Sequence, residues 1–410
     1  MDNKGRNNRF PKLRFPGFEG EWEEKTLGEV ATSFSGGTPK SGEPRFYGGY
    51  IPFIRSGEIH GDKTELFITE DGLNNSSAKL VKKGDLLFAL YGATSGEVDL
   101  SKIEGAINQA ILCIRSEVID TCFLYNYLSF RKNHITGHFL QGGQGNLSSD
   151  IIMSLTIPFP PFVEQQKIAS CLTEMDNTIA GQQQKVEALK AHKKGLMQQL
   201  FSQSGTISPR LRFPGFTGEW QEKPLSHFLH EHKTKSDGKC EVHSVSVTKG
   251  VINQVEYLGR SFAASDTSKY NLAKPGDIIY TKSPTGAFPY GIVKQNKNPY
   301  NVIVSPLYAV YTPLNQYVGY ILDSYFESPV NTNNYLSSLI QKGAKNTIQI
   351  SNDTFVSKSM CLPSNPAEQQ KIAECLESLD SLIDSETKKL ESLKTHKRGL
   401  MQQLFPQPNK

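Results

Sequence analysis

Several glycine-rich segments of this sequence carry arginine, lysine, asparagine, glutamine and hydroxyl side chains at close spacing. Cationic and hydroxyl groups of this kind contact phosphates, and Asn or Gln can make bidentate contacts to adenine. Glycine lets the backbone approach a ligand closely. The pattern indicates surfaces that read nucleic acid, with the alternative that Gly/Asn/Ser/Thr loops are simply loops.

The candidates fall in two blocks of the chain, residues 31–157 and residues 229–361. In the first block the candidate DNA-contacting residues are Thr38, Lys40, Arg45, Tyr47, Arg55, Ser56, Tyr91, Thr94, Ser95, Gln141, Gln144 and Asn146. In the second block they are Lys249, Lys282, Ser283, Thr285, Tyr290, Asn333, Lys342, Lys345 and Asn346.

Motifs for catalysis are missing from the sequence. The segment Phe159–Phe162 (FPPF) resembles the Asn/Asp-Pro-Pro-Tyr/Phe motif of adenine methyltransferases but lacks the leading amide or acid. The segment 61–64 (GDKT) lacks the upstream glycine of a phosphate-binding loop. His227, His230, His232, Cys240 and His243 are the one metal-like cluster, and their spacing matches no common zinc site. We therefore expect no catalytic residue, no bound metal and no cofactor on this chain.

Composition and charge limit the class of protein. A chain of 410 residues predicts two or three domains, and 37% hydrophobic with 21% charged residues is typical of a soluble globular protein. The first residues are polar and basic, without the apolar core of a secretory signal, and no apolar run reaches the length of a membrane span. Six cysteines without a CxxC pair favour reduced thiols in the cytoplasm.

The charge is permissive for DNA binding but does not establish it. The net charge is only +4 for the chain. Residues 31–157 hold 11 Lys and Arg against 13 Asp and Glu, whereas residues 224–360 hold 13 against 9. A sequence-specific binder needs local basic loops rather than a basic whole.

Two near-identical frames surround two dissimilar blocks. Residues 11–22 (PKLRFPGFEGEW) return at 209–220 (PRLRFPGFTGEW) with ten of twelve positions identical. The segments 164–169 (EQQKIA) and 195–201 (GLMQQLF) return 204 residues later at 368–373 and 399–405. A repeat of this length indicates duplicated domains rather than a solenoid. The C-terminal residues resemble the start of the linker between the two copies (202–209), and the N-terminal segment resembles its end. Because the chain thus begins and ends at the junction between repeat units, we expect the two termini to lie close together.

Two long helices, at about 162–201 and 366–405, carry apolar residues at alternating steps of four and three. This spacing over more than four heptads predicts a coiled-coil seam. The predicted pairing residues are Ile168, Leu172, Met175, Ile179, Val186, Leu189, Leu196 and Leu200, then Ile372, Leu376, Leu379, Ile383, Leu390, Leu393, Leu400 and Leu404. Gln182 and Lys193, with their equivalents Glu386 and Lys397, are polar seam positions that can fix register.

The helices are expected to pair with each other, antiparallel, although each seam could instead pack on any apolar surface. At 1.5 Å per residue, a helix of about 38 residues is roughly 57 Å long. Two reading modules about 50 Å apart could meet DNA on one face, one or more helical turns apart. Asn365, Pro366 and Glu368 predict an N-cap, a first-turn proline and a capping-box acid for the second helix.

The predicted segmentation has four parts. Residues 1–157 form a frame segment and a first recognition domain, and 158–203 form the first spacer helix. Residues 204–361 form the second frame segment and recognition domain, and 362–410 form the second helix. Residues 84–98 and 276–293 each predict a strand, a turn and a second strand, so the two blocks are expected to share a fold. The predicted fold class is α+β, with two mixed, mostly β domains, an antiparallel coiled coil and a pseudo-twofold repeat.

Nearly the whole chain resembles the specificity (S) subunit of type I restriction–modification systems. The resemblance rests on the repeated EQQKIA and GLMQQLF segments and, in the first block, on GGTP (36–39), IPFIRSGEI (51–59) and GDLLFALYGATSG (84–96). The second block is more divergent and lacks the GGTP segment.

The resemblance implies a non-catalytic subunit whose two blocks each read one half of a bipartite target in double-stranded DNA. Its helices would set the gap and dock two modification (methyltransferase) subunits, which use S-adenosylmethionine and flip the target adenine out of the duplex. Restriction subunits would add ATP- and Mg²⁺-dependent translocation and cleavage. The alternatives are a coiled-coil scaffold or adaptor without a nucleic-acid role, and a stand-alone DNA methyltransferase.

Overall fold

The computed structural model describes residues 10–140, 146–202, 207–264, 266–342 and 348–406, and at 140, 341, 342, 348 and 349 only the backbone. These residues form two compact units. Unit 1 comprises residues 1–183 and 388–410, and unit 2 comprises residues 184–387. Each unit therefore combines one frame segment and one block with one half of each long helix.

The helices run in chain order from α1 to α10. They are α1 (Leu27–Val30), α2 (Glu70–Asn74), α3 (Thr121–Leu140), α4 (Ser149–Met153), α5 (Phe162–Leu200), α6 (Gln254–Leu258), α7 (Gln316–Glu327), α8 (Pro329–Ser337), α9 (Asn352–Ser357) and α10 (Pro366–Leu404). Short 3₁₀ turns lie at Pro44–Phe46, Ser56–Glu58 and Leu225–His227.

Among the described residues, ten strands belong to unit 1 and twelve to unit 2. Those of unit 1 are β1 (Glu23–Thr26), β2 (Thr32–Ser35), β3 (Tyr47–Ile54), β4 (Leu66–Ile68), β5 (Lys79–Val81), β6 (Leu86–Ala89), β7 (Val98–Leu100), β8 (Gly105–Ile107), β9 (Ile111–Arg115) and β10 (Thr156–Phe159). Those of unit 2 are β11 (Gln221–Pro224), β12 (Leu229–Glu231), β13 (His243–Ser246), β14 (Gly250–Asn253), β15 (Asn271–Ala273), β16 (Ile278–Thr281), β17 (Ile292–Gln295), β18 (Val302–Val304), β19 (Ala309–Pro313), β20 (Gln341–Lys342), β21 (Ile348–Gln349) and β22 (Ser359–Leu362).

Each unit has a four-stranded sheet with the same strand order, and the remaining strands of the two units are arranged differently. The order β2-β9-β6-β7 in unit 1 is repeated as β12-β19-β16-β17 in unit 2, and all of these pairs are antiparallel. Unit 1 adds the sheet β4-β3-β8-β5, with β3 and β8 parallel, whereas unit 2 has the pairs β13-β14, β15-β18 and β20-β21. The common fold predicted for the two blocks is confirmed for this four-stranded sheet. The blocks differ in the strands that surround it.

Each frame segment joins its block to a long helix through a two-stranded sheet. β1 pairs with β10, which leads into α5, and β11 pairs with β22, which leads into α10. The core of unit 1 gathers Trp22, Phe123 and the end of α10 with Phe405, whose ring lies 5.6 Å from that of Phe123. The core of unit 2 gathers Trp220 and Phe326 with the end of α5.

The two long helices pair antiparallel, as predicted. In unit 2, Lys185 contacts Glu386 at 2.5 Å and Lys193 contacts Asp380 at 2.6 Å, so residue numbers rise along α5 while they fall along α10. In unit 1, Lys397 contacts Asp176 at 2.6 Å, and Met401 and Leu404 share the core with Ile168 and Leu172. None of the twenty seam positions, polar ones included, is exposed.

The first and last described segments of the chain lie close together, in agreement with the prediction, since the Leu13 amide donates to the Gln403 carbonyl at 3.0 Å. At α10 the Asn365 side chain accepts from the Ala367 amide at 2.9 Å, which confirms the N-cap. The capping-box role predicted for Glu368 is wrong, because its buried carboxylate accepts from Arg212 and Trp220 of the frame segment instead.

Candidate nucleic-acid interface

The centre of the candidate surface in unit 1 is the turn between β6 and β7, residues 90–97, here named the block-one turn. The Gly96 amide donates to the Ala89 carbonyl at 2.8 Å, and Ser95 Oγ donates to the Leu90 carbonyl at 3.1 Å. Gly96 has φ +82°, and a Cβ at this position would lie 2.4 Å from Thr136 Cγ2 of α3. The turn is therefore closed against α3 and needs glycine there.

Three segments that are distant in sequence meet this turn. The Leu90 amide donates to the Ala110 carbonyl at 2.8 Å, and the neighbouring Gln109 accepts from Thr38 Oγ1 at 2.6 Å. The Leu147 amide donates to the Leu90 carbonyl at 3.0 Å, which places the exposed Asn146 beside the turn. Ser56 Oγ lies 3.9 Å from the Cβ position of Gly92. The predicted residues Thr38, Ser56, Tyr91, Thr94, Ser95 and Asn146 are thus brought together.

Lys40, Arg45 and Tyr47 form a separate group. Lys40 and Arg45 each lie 3.6 Å from the Glu43 carboxylate, and the Tyr47 hydroxyl donates to the Pro39 carbonyl at 2.6 Å. In the described part of the chain, no hydrogen bond or ion pair joins Lys40 or Arg45 to the block-one turn. Gln141 and Gln144 lie outside the described residues.

Arg55 is held by two carboxylates next to Ser56. Its Nε donates to Glu58 Oε2 at 3.0 Å, and its Nη2 contacts Glu58 Oε1 at 3.1 Å and Glu65 Oε2 at 2.8 Å. Partial burial by itself would raise the pKa of Glu58, but hydrogen bonds from Arg55 and from the Glu65 amide lower it to about 2. The Glu58 side chain therefore stays ionised and keeps the guanidinium in place.

The corresponding turn of unit 2, residues 282–290, lies between β16 and β17 and is here named the block-two turn. Thr285 and Phe288 exchange backbone hydrogen bonds at 3.0 and 2.8 Å, and Lys282, Ser283 and Thr285 are exposed. Asn333 of α8 reaches this turn, because its Nδ2 donates to the Ala287 carbonyl at 3.1 Å. Its Oδ1 is buried without a hydrogen-bond partner in the described part of the chain.

Other predicted residues of unit 2 are placed differently. Tyr290 is half-buried against the core, and its carbonyl accepts from the Tyr280 hydroxyl at 2.9 Å. Lys249 is exposed at the tip of the β13–β14 hairpin. Lys345 and Asn346 lie outside the described residues, as does the side chain of Lys342.

The repeated frame has a buried polar contact at its centre. The Glu164 carboxylate accepts from Arg14 Nε at 2.7 Å, Arg14 Nη2 at 2.8 Å and Trp22 Nε1 at 3.1 Å. Glu368 repeats this arrangement in unit 2 with Arg212 and Trp220. Each of these glutamates is only 1% exposed. In each unit this contact therefore holds the frame segment against the start of a long helix.

The chain matches a family model described as type I restriction modification DNA specificity domain, over residues 19–191 and again over 220–395. Together the two matches cover most of the sequence, one for each repeat. The chain belongs to this family.

Curated and solved relatives of this specificity-domain chain agree with the match. The type I restriction enzyme MjaVIII specificity subunit of Methanocaldococcus jannaschii is 23% identical, over 94% of this chain and 92% of that protein. The EcoR124I/EcoR124II specificity subunit of Escherichia coli is 30% identical over 38% of this chain and 42% of that protein. The crystal structure of a type I restriction-modification S subunit from M. genitalium aligns with a TM-score of 0.61 at 15% identity, over 97% of this chain and 100% of that one.

A second solved structure, described as showing complex assembly and conformational transition of the type I R-M system, aligns with a TM-score of 0.54 at 16% identity. It covers 96% of this chain and 98% of that one. At these identities the two structures establish the fold of the specificity-domain chain.

A basic stretch of α3, residues 131–134 (RKNH), lies beside the block-one turn and was not among the contacts predicted from the sequence. Lys132 forms an ion pair with Glu97, and His60 lies 3.4 Å from Glu97 and 2.8 Å from Asp99. Burial, then the nearby charges of Arg131 and His138, lower the pKa of His134. The run RKNH (131–134) was a visible signal, but only the tertiary structure places it at the turn.

The metal-like cluster of the sequence is dispersed into separate contacts. His232 Nε2 lies 2.9 Å from Asp277, and His243 Nδ1 lies 3.0 Å from the Glu241 carbonyl. Within the described ranges, no group of three or more His, Cys, Asp or Glu residues is arranged to hold a metal ion. Among the described helices, none has the length and apolarity needed to span a membrane.

Proposed function

We propose that this chain is the DNA-recognition subunit of a type I restriction–modification complex, and that each block reads one half of a bipartite target. The observation that carries this proposal is the twofold match to a DNA specificity domain, with one match for each repeat. Two equivalent sheets that present dissimilar turns support two different half-sites. A coiled-coil scaffold without a DNA role gives no reason for this divergence at the turns.

The proposed reading surface of unit 1 is the block-one turn with Ser56, Thr38 and Asn146, flanked by the basic stretch of α3. The proposed surface of unit 2 is the block-two turn with Asn333. The exposed Lys282, Ser283 and Thr285 provide a cation and two hydroxyl groups at one place, and groups of this kind contact phosphates.

The long helices are proposed to set the gap between half-sites and to dock two modification subunits. Each spans 39 residues, which corresponds to about 58 Å at 1.5 Å per residue. The seam is closed by apolar side chains and by ion pairs such as Lys397–Asp176.

The chain itself is proposed to be non-catalytic and to act in the cytoplasm. The modification subunits would carry S-adenosylmethionine and methylate the adenine, and restriction subunits would supply ATP- and Mg²⁺-dependent cleavage. This division follows from the resemblance of the repeated segments to S subunits and from the lack of a catalytic motif in the sequence.

The test exchanges block two, residues 229–361, for that of a relative and maps N6-methyladenine across a genome that expresses the complete system. We expect one half of the methylated sequence to change and the other half, with the gap, to stay the same. A change in both halves, or in neither, would refute the modular reading. Absence of sequence-specific DNA affinity in the complete wild-type complex would favour the scaffold.

A further inference from the structure

Arg55 follows β3 directly, and its guanidinium is fixed before any DNA is bound. Glu58 accepts from the Arg55 amide at 3.1 Å, from Nε at 3.0 Å and from Nη2 at 3.1 Å, so one carboxylate holds backbone and side chain together. The Glu65 amide donates to the same Glu58 carboxylate at 3.0 Å. The Glu58 side chain is 16% exposed, so this contact is shielded from water.

The Glu58 contact occupies the Nε–Nη2 edge of the guanidinium and leaves the Nη1–Nη2 edge available. A guanidinium has five N–H groups, and Glu58 takes the Nε hydrogen and one Nη2 hydrogen. The remaining Nη2 hydrogen is directed to Glu65 Oε2 at 2.8 Å, and Nη1 has no hydrogen-bond partner in the described part of the chain. The Arg55 side chain is 40% exposed. It therefore presents a second pair of parallel donors, Nη1 and Nη2, toward solvent.

Glu65 is a replaceable partner for that second pair. Its side chain is 84% exposed, whereas that of Glu58 is 16% exposed. Exposed ion pairs contribute little to stability, so a ligand that offers acceptors to Nη1 and Nη2 displaces Glu65 at small cost. Ser56, the next residue in the chain, lies beside the block-one turn, so Arg55 adjoins the proposed reading surface.

Building on the proposed function, we propose that Arg55 reads a guanine in the half-site contacted by block one. Glu58 is the positioning residue, and guanine O6 and N7 take the place of the Glu65 carboxylate. Guanine presents two adjacent acceptors in the major groove, whereas adenine presents one acceptor beside an amino donor. Because Glu58 already fixes the guanidinium, less side-chain entropy is lost on binding.

The test measures binding of the complete complex to double-stranded targets in which each base pair is replaced in turn. Arg55→Lys keeps the charge but loses the fork of donors. We expect Arg55→Lys to reduce the preference for one G·C pair in one half-site by about 10- to 100-fold, with every other position unchanged. Retained readout of the other base pairs in the same half-site shows that unit 1 of the variant is folded.

Two further variants separate the roles of the carboxylates. Glu58→Gln should weaken the preference at that same G·C pair, since the guanidinium is no longer fixed. Glu65→Gln is the matched control and should leave the preference intact, with equal or higher affinity. Equal loss of affinity for all sequences in Arg55→Lys would indicate a phosphate contact and overturn the proposal. An unchanged profile would also overturn it, although the proposed function would stand as long as the wild-type complex discriminates between bases.

Discussion

The buried glutamate of the repeated frame allows a sharp test of how each frame segment is held against its long helix. Glu164 is 1% exposed and accepts three hydrogen bonds, two from Arg14 and one from Trp22. In Glu164→Gln one carboxylate oxygen becomes an amide that faces the donors of Arg14. The change leaves a guanidinium without its counter-ion in a site that is largely closed to water.

The magnitude follows from the burial of the two partners. Breaking a buried ion pair by removing one charge costs about 3–5 kcal/mol. The Arg14 side chain is 15% exposed and also donates to the Gly20 carbonyl, so part of its charge remains solvated. We therefore expect a loss near the lower limit, about 3 kcal/mol. For a unit of roughly 200 residues this corresponds to a decrease of about 6–12 °C in the melting temperature.

The assay combines calorimetry with hydrogen exchange of the full chain. Glu164→Gln should lower the transition that includes unit 1 and weaken amide protection of residues 11–22. Glu368→Gln should do the same for residues 209–220 in unit 2, because Arg212 and Trp220 repeat the contacts. Glu174→Gln changes an exposed glutamate of α5 and is the control, expected within about 0.5 kcal/mol of wild type. A loss below about 1 kcal/mol in Glu164→Gln would refute the reasoning.

Two further predictions use equivalent or neighbouring positions. Asp176→Asn should destabilise unit 1 by about 2 kcal/mol in urea unfolding. Asp380→Asn should destabilise unit 2 by about 1 kcal/mol, because Lys193 keeps its contact with Glu327 and an amide oxygen can still accept from the Tyr320 hydroxyl. The reverse order would contradict this. Gly36→Ala should cost about 2 kcal/mol or more, since its Cβ would lie 1.8 Å from a backbone carbonyl; Gly42→Ala, with nothing within 4 Å, should be near neutral. Equal stability of the two glycine variants would be inconsistent with the close approach.

Lys193 shows why the two seam lysines differ although their sequence positions are equivalent. Burial by itself would lower the pKa of Lys193, but the nearby carboxylates of Glu327 and Asp380 raise it overall. Lys397 has Asp176 as its carboxylate partner in the described part of the chain. The extra carboxylate comes from α7, an element of the divergent block, and no heptad pattern contains that information.

The sequence by itself determined the repeat, the two long helices and their seam. Heptad spacing is a local property that demands burial of one stripe, and the antiparallel sense follows from how the repeat is cut. Strand–turn–strand patterns at 84–98 and 276–293 likewise fixed the centre of each block, since alternation and glycine turns are local signals.

Only the tertiary structure decided which loop residues share a surface and which are already occupied. Thr38, Ser56 and Asn146 meet the block-one turn through backbone contacts between segments far apart in sequence, and no local pattern encodes such contacts. In the sequence Arg55 is one cation among several, whereas in the structure Glu58 holds one edge of its guanidinium. The sequence predicts a capping role for Glu368, but in the structure its carboxylate is buried against Arg212. Breaking an ion pair in a site closed to water costs more free energy than losing a hydrogen bond at a helix N-cap.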